Sequence, residues 1–373
     1  MTALPALTVR GLAVRTVRVP MRRPLATSRG RIEAAPLVLL DLETAEGVTG
    51  RSYLFAYLDA GARALRRLLA EMGEWVRGQP AAPLALSRLL AARLTLIGRE
   101  GLAGMAAAGL DVACWDALAR AAGLPLARLL GGTLRPVPAY NSTGLSLADP
   151  QAPAAEAAAA LADEAVALLA EGFPAVKLRL GYATAAADLA AVRAVRARIP
   201  ASALLMVDYN QALTPAEAIR RGRLLDGEGV YWIEEPVRHD DFAGAAEVAR
   251  EVATPVQLGE NFAGPAAMAA ALAARACDYV MPDLARIGGV TGWLAAAALA
   301  AAAGRELSSH LFPEVSAQLL AVTPTAHWLE YVDWAAPVLL EPLRIVEGAA
   351  RPTEAPGVGL AWDEAAVARY AFD

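Results

Sequence analysis

The rhythm of hydrophobic and polar positions changes near residue 135. Before it, "LTVRGLAVRTVRV" and "APLVLLDLETAEGVTGRSYL" alternate with period two and predict strands, the second with a hairpin turn in its middle. Longer stretches at roughly 58–76, 83–97 and 102–122 follow and predict helices. Strands followed by helices indicate an α+β unit over residues 1–130. A break at "LLGGTLRPVPAY" (129–140), with Gly-Gly and then Pro, ends the helical region.

From residue 135 the pattern alternates strictly between short β-rich runs and Ala/Leu helices. The runs are "VPAYNST", "AVKLRLG", "LLMVDYN", "VYWIEEP", "PVQLGEN", "DYVMPDL", "LSSHLF" and "HWLEY". Near their C-terminal ends stand Ser142, Lys177, Asp208, Glu234, Glu260, Asp283, His310 and Glu330, with gaps of 35, 31, 26, 26, 23, 27 and 20 residues. Each gap accommodates one strand, one helix and two short loops. Eight such units close into a parallel (β/α)8 barrel whose active site lies at the C-terminal strand ends. An open doubly wound sheet is set aside, because no Gly-rich phosphate loop follows the first strand. The expected fold is α/β: a modified barrel over 131–339 with an α+β cap over 1–130.

Composition narrows the class. The 373 residues are 56% hydrophobic and 20% charged, enough for a large core, and the Ala-rich stretches read as helices punctuated by charge. A net charge of −5 with scattered basic residues gives no nucleic-acid footprint. The N-terminus lacks a signal-peptide layout, and "WLAAAALAAAAG" (293–304) is too short to span a bilayer. Cys114 and Cys277 lack metal-like spacing and are expected as buried free thiols of a cytoplasmic protein.

Chemistry enters at the strand ends. Asp208, Glu234 and Glu260 end three consecutive strands, and a barrel brings them to one point. Three converging carboxylates repel unless a cation sits among them, and an all-oxygen set suits Mg²⁺ before Mn²⁺. Asn210 is placed to orient this site. Asp283 and His310 end neighbouring strands, so the carboxylate can fix the imidazole tautomer and make His310 a general base. His239 in "RHDD" and His327 in "AHWLE" are expected at the surface and in the core. Period two puts Lys177 and Arg179 on one strand face. The ammonium can serve a substrate anion, whereas the guanidinium keeps its proton.

Taken together, "AVKLRLG", "MVDYNQ", "WIEEPV", "GENFAGP", "MPDLARIGGVTGW", "SSHLFPEVSAQLLAVTPTAHWLE" and "SYLFAY" resemble the mandelate racemase family of the enolase superfamily, in order and over nearly the whole chain. The resemblance implies metal ligation by Asp208, Glu234 and Glu260 and a base pair of His310 with Asp283. It implies Lys177, Ser142 and a protonated Glu330 around the substrate carboxylate. A loop near 20–32, with Arg29, and the "SYLFAY" segment, with Tyr57, would close over the site. The segment 340–373 would return onto the cap, and the family habit is a homo-oligomer, an octamer.

Two departures shape the expected reaction. Where the family's racemase has a second lysine, the base for the other substrate face, this chain has Arg179, expected as a fixed charge or donor. The cap loop carries Arg22, Arg23, Arg29 and Arg31 beside the apolar Leu25 and Ile32. Arginines turned inwards would suit a hydroxylated or dianionic substrate. The expected partner is therefore a small carboxylate, with no nucleic acid or membrane. The expected reaction is Mg²⁺-dependent α-proton abstraction from a 2-hydroxycarboxylate through an enediolate, followed by loss of water. The alternatives are a racemase of a related acid and a non-catalytic binding barrel.

Overall fold

The computed structural model describes residues 6–148 and 153–373. The chain begins with an antiparallel sheet of β1 (Val9–Thr27), β2 (Gly30–Thr44) and β3 (Thr49–Phe55). Helices α1 (Asp59–Val76), α2 (Pro83–Arg93), α3 (Leu102–Ala121) and the short α4 (Leu126–Leu129) follow. The sheet packs on α1 and α3 through Val17, Leu37, Leu39, Leu65, Leu69 and Leu110, all buried. Among the described residues, α3 alone is long and apolar enough to cross a membrane, more so than the 293–304 run, and 72% of its apolar stretch is buried inside the protein.

Two expectations are corrected here. The second helix stops at Arg93, not 97, because Leu94–Gly98 turns and Gly98 adopts a left-handed φ of 84°. The segment 20–32 is not a loop but the tip of a β-hairpin: Leu25 pairs with Ile32 and Thr27 with Gly30 after a register shift beyond Pro20. Gly30, with φ 140°, lets the chain reverse there.

The remaining chain alternates as expected. In order come β4 (Val137–Asn141), α5 (Ala154–Ala170), β5 (Ala175–Arg179), α6 (Ala185–Arg198), β6 (Leu204–Asp208), α7 (Pro215–Leu225), β7 (Val230–Glu234) and α8 (Phe242–Glu251). Then follow β8 (Val256–Leu258), α9 (Gly264–Ala273), β9 (Tyr279–Val280), α10 (Leu284–Ile287), α11 (Gly289–Ala302), β10 (Glu306–Leu307), α12 (Pro313–Val322) and β11 (Leu329–Tyr331). Strands β4 to β10 pair in sequence and in parallel, and β11 pairs in parallel with β4. A bridge between Leu307 and Ala326 links β10 to the approach of β11, closing the barrel. Helix starts are written locally: Thr184, Thr214 and Asp241 accept from the first-turn amides of α6, α7 and α8.

Strand β5 shows what period two accomplishes. Val176, Leu178 and Leu180 pack outward in one cluster with Leu161, Leu168, Val192 and Val195 of the covering helices. Lys177 and Arg179, on the other face, are 1% and 4% exposed and turn into the barrel.

The C-terminal segment touches both halves. The hairpin of β12 (Arg344–Val346) and β13 (Ala349–Arg351) pairs with β4. Beyond it, Trp362 Nε1 donates to Asp41 at 2.8 Å, Phe372 N to the Thr16 carbonyl at 3.1 Å, and α13 (Glu364–Tyr370) lies against β1. Fully buried Asp116 ties three parts together, accepting from Arg51 N (2.8 Å), Arg120 Nε (2.5 Å) and Val358 N (2.6 Å).

Candidate active site

A cavity of about 330 Å³ opens at the C-terminal strand ends beneath the hairpin tip. Lys177, Arg179, Asp208, Asn210, Glu260, His310 and Glu330 wall it from the barrel, and Leu25, Arg29, Ile32 and Tyr57 from the cap. The strand-end reading therefore brings most of its residues to one place.

Asp208, Glu234 and Glu260 each offer an oxygen, all within 4.8 Å of one another. Burial, together with Asp208, Glu330 and Glu260, pushes Glu234 up to about 8 against the opposing pull of Lys177. A carboxylate so placed needs a cation, and a hard divalent ion fits this all-oxygen set. Lys177 Nζ supplies part of the missing charge: it lies 2.5 Å from Glu234, 2.8 Å from Glu330 and 3.4 Å from Asp208. Burial opposes that ammonium, but these carboxylates hold it protonated, well above the ordinary lysine range. Asn210 Nδ2 donates to Asp208 at 3.0 Å, and the Asn210 amide donates to the other Asp208 oxygen at 2.8 Å, so both orient the carboxylate.

The histidine arrangement follows from a helix cap. Asp283 accepts through Oδ1 from the amides of Ala285 and Arg286, leaving Oδ2 to meet His310 Nδ1 at 2.8 Å. His310 Nε2 points the other way, 3.4 Å from Glu260 and 3.9 Å from Glu330. Burial disfavours the charged ring, yet Glu260, Glu330 and Asp283 outweigh it and lift His310 to about 9. The ring can give up a proton from Nε2 in its charged form and take one there only once neutral.

Arg179 does something else. Its Nη1 donates to the Gly144 carbonyl at 2.8 Å, and Nη2 reaches the Ser142 carbonyl (3.3 Å) and hydroxyl (3.2 Å). It braces the segment after β4 rather than pairing with a barrel carboxylate. Ser142, expected at the substrate carboxylate, is engaged by Arg179 and is not among the described residues walling the cavity. Glu330 also departs from expectation. Burial alone would raise it, but Lys177, His310 and the Leu311 amide (3.0 Å) pull it below the ordinary range.

The cap arginines are largely spoken for. Arg22 and Arg23 meet Glu171 at 3.5 and 2.7 Å, and Arg31 meets Glu33 at 3.1 Å. Arg29 donates to the carbonyls of Asn210 (3.0 Å) and Gln211, so it clamps the hairpin tip onto the turn after β6. His239 is exposed, as expected. His327, expected in the core, is half-buried, its Nε2 paired with the Tyr231 hydroxyl at 2.8 Å.

This geometry has relatives. Residues 9–131 match the mandelate racemase / muconate lactonizing enzyme N-terminal domain, and residues 160–366 match the enolase C-terminal domain-like family. The chain belongs to the mandelate racemase/muconate lactonizing enzyme family of the enolase superfamily. It is 34% identical to an L-talarate/galactarate dehydratase of Salmonella typhimurium over 270 residues, 72% of this chain and 66% of that enzyme. A solved enolase from alpha proteobacterium BAL199 with bound magnesium is 45% identical, with TM-score 0.94 over 98% of this chain and 100% of that one. A solved Bradyrhizobium enolase complexed with magnesium and mandelic acid is 43% identical, with TM-score 0.92 over 99% of this chain and 100% of that one. This family member is an enolase-superfamily enzyme, and its Asp208, Glu234 and Glu260 form an acidic triad able to hold a metal ion, as its relatives hold magnesium.

Several wall residues escaped the strand-end reading. Glu235, Gln211, Asn261, Arg286, Leu311 and Trp334 line the cavity of this enolase-superfamily chain. A doubled acid in "WIEEP" and a lone cation three residues after Asp283 were the available signals. Period two gave no direction for side chains in the turns. Tyr57, Asn210, Gln211, Glu235 and Leu311 all adopt left-handed φ, between 38° and 64°.

Proposed function

We propose that this enzyme takes the α-proton from a 2-hydroxycarboxylate and then eliminates water from the next carbon, as an acid-sugar dehydratase of the cytoplasm. In this reading residues 131–339 are the catalytic barrel, and residues 1–130 with 340–373 are its cap. The supporting observation is an asymmetry between the two sides of the cavity. His310, oriented by Asp283, offers one base, whereas three strands away around the barrel Arg179 offers only a guanidinium committed to the 142–145 segment. Racemisation needs a base on each face of the substrate. Elimination needs one base and an acid for the leaving hydroxyl.

Asp208, Glu234 and Glu260 would hold the metal. Mg²⁺ bound there supplies a Lewis acid beside the substrate carboxylate. Lys177 keeps its proton and presents a fixed positive charge as the enolised acid gains a second negative charge. His310 Nε2 accepts the α-proton, while the Asp283 carboxylate holds Nδ1 and stabilises the imidazolium. The same imidazolium then returns the proton to the β-hydroxyl, which leaves as water, and the enol ketonises to a 2-keto-3-deoxy acid. Arg179 keeps the 142–145 segment packed against β5.

A second reading, racemisation of an aryl 2-hydroxy acid, draws on the apolar wall of Leu25, Ile32, Leu311 and Trp334 and on the mandelic acid held by the Bradyrhizobium relative. Deuterium uptake from heavy water by each enantiomer across a library of 2-hydroxy and sugar acids, with 2-keto acid assayed in parallel, separates the two. Exchange of one configuration with keto acid formed is expected. Rapid exchange of both configurations without keto acid would replace the dehydratase by the racemase.

A further inference from the structure

With the cap-hairpin arginines committed to Glu171, Glu33 and backbone carbonyls, one cation of the cavity wall stands apart. Arg286 is rooted in the turn that orients the base: its amide donates to Asp283 Oδ1 at 3.0 Å. Its guanidinium carbon lies 5.1 Å from the centre of the Tyr57 ring, where barrel and cap meet, and the side chain walls the cavity. Asp283, Glu260 and Glu235 lie near enough to favour its charge, but among the described residues none of them takes a hydrogen bond from that partly buried guanidinium. The Tyr57 hydroxyl beside it is buried without a hydrogen bond, and the same is true of Glu235 Oε2 on the same wall.

A guanidinium on a cavity wall with no anionic or carbonyl acceptor leaves its N–H donors open to a ligand. A ring face satisfies only the flat side of the group. The edge N–H donors remain free, in the fork geometry that matches a carboxylate. The position also matters. Lys177, Asp208 and His310 rise from strand ends, whereas Arg286 reaches from the residues after Asp283 to Tyr57 of the cap, so a substrate held at the strand ends can extend to it.

We propose that Arg286 is a specificity-determining residue that binds the distal carboxylate of a dicarboxylic sugar acid, with the Tyr57 hydroxyl donating to the same group. This inference rests on the proposed reaction of a 2-hydroxy acid at the metal and His310. The second carboxylate of the substrate is thus met by a barrel residue, not by the cap-loop arginines that the sequence suggested.

The test is calorimetric binding, in Mg²⁺, of a panel of hexaric acids against the hexonic acids of matching configuration. Wild type should hold its best diacid about 10- to 100-fold more tightly than the matched monoacid. Arg286→Gln should collapse that preference at least about tenfold, with the loss in deuterium exchange appearing in KM more than in kcat. Arg286→Lys, which keeps charge but not the fork, should retain part of the preference, and it decides the matter alone if the Gln variant does not fold. A wild type without diacid preference, or variants that weaken both acids equally, overturns the proposal. A diacid preference lost with Arg286 in an enzyme that exchanges no α-proton would sink the dehydratase reading and leave this anion site standing.

Discussion

The two ends of the barrel hold two histidines, one buried and one half-buried, that behave oppositely. At the mouth, burial works against a charged His310, but Glu260, Glu330 and Asp283 overcome it and lift the ring to about 9. At the floor, His327 lies among Tyr231, Trp232, Tyr279 and Trp328, and burial alone lowers it to about 4. Its nearest carboxylate, Glu306, is 3.7 Å away and more than half exposed. The same side chain is drawn towards its charged form in one setting and kept neutral in the other. The mouth concentrates buried charge that needs a metal. The floor concentrates aromatic surface that holds the strands together.

The sharpest way to break that comparison is at the mouth. His310→Asn should reduce α-proton exchange by about a thousandfold or more while the melting temperature stays near wild type. Glu260→Gln should lower Mg²⁺ affinity by at least about a hundredfold, read by metal analysis after dialysis. Chelation should silence the wild type, and added Mg²⁺ should restore it. A metal-stripped enzyme with full exchange would remove the metal from the mechanism.

At the floor the effect should appear in stability and its pH dependence. The folded-state pKa of His327 lies below its unfolded value, so between about pH 6.5 and 4 the unfolded chain binds the proton first. Stability should therefore be fully present above pH 6.5 and fall by roughly 3 kcal/mol as pH drops to about 4. His327→Phe should flatten that slope in urea titrations at pH 7 and 4.5, with kcat within about twofold of wild type. An unchanged slope would mean that some other group carries the acid sensitivity.

Smaller effects sharpen the picture. Asp283→Asn keeps the ring near its place but removes the charge behind it, and should cost about a hundredfold in exchange. At the rim, Arg22→Ala removes a solvent-exposed contact with Glu171 and should change stability by less than about 1 kcal/mol in thermal melts.

Much of the site was legible because a barrel makes strand ends equivalent. Once eight alternating units were counted, Lys177, Asp208, Glu234, Glu260, Asp283, His310 and Glu330 had to converge. The failures share a different cause. Glu235 and Gln211 sit in turns with left-handed backbone and Arg286 in the single turn of α10, where a helix cap sets the side-chain direction and no sequence period applies. Ser142 did end a strand, but Arg179 reached it first. The protonation of Glu330 depends on how closely Lys177 and His310 approach, which no sequence period gives.

The sequence by itself determined the architecture and the meeting of Asp208 with Glu234 and Glu260 and of Asp283 with His310, because period, spacing and residue type are local properties that the barrel repeats eight times. Only the tertiary structure decided what each cation does. A positive charge takes its role from the acceptors within a few ångströms. Those acceptors come from segments far apart in the chain: Glu234 and Glu330 for Lys177, the 142–145 carbonyls for Arg179, Glu171 for Arg23 and the Tyr57 ring for Arg286.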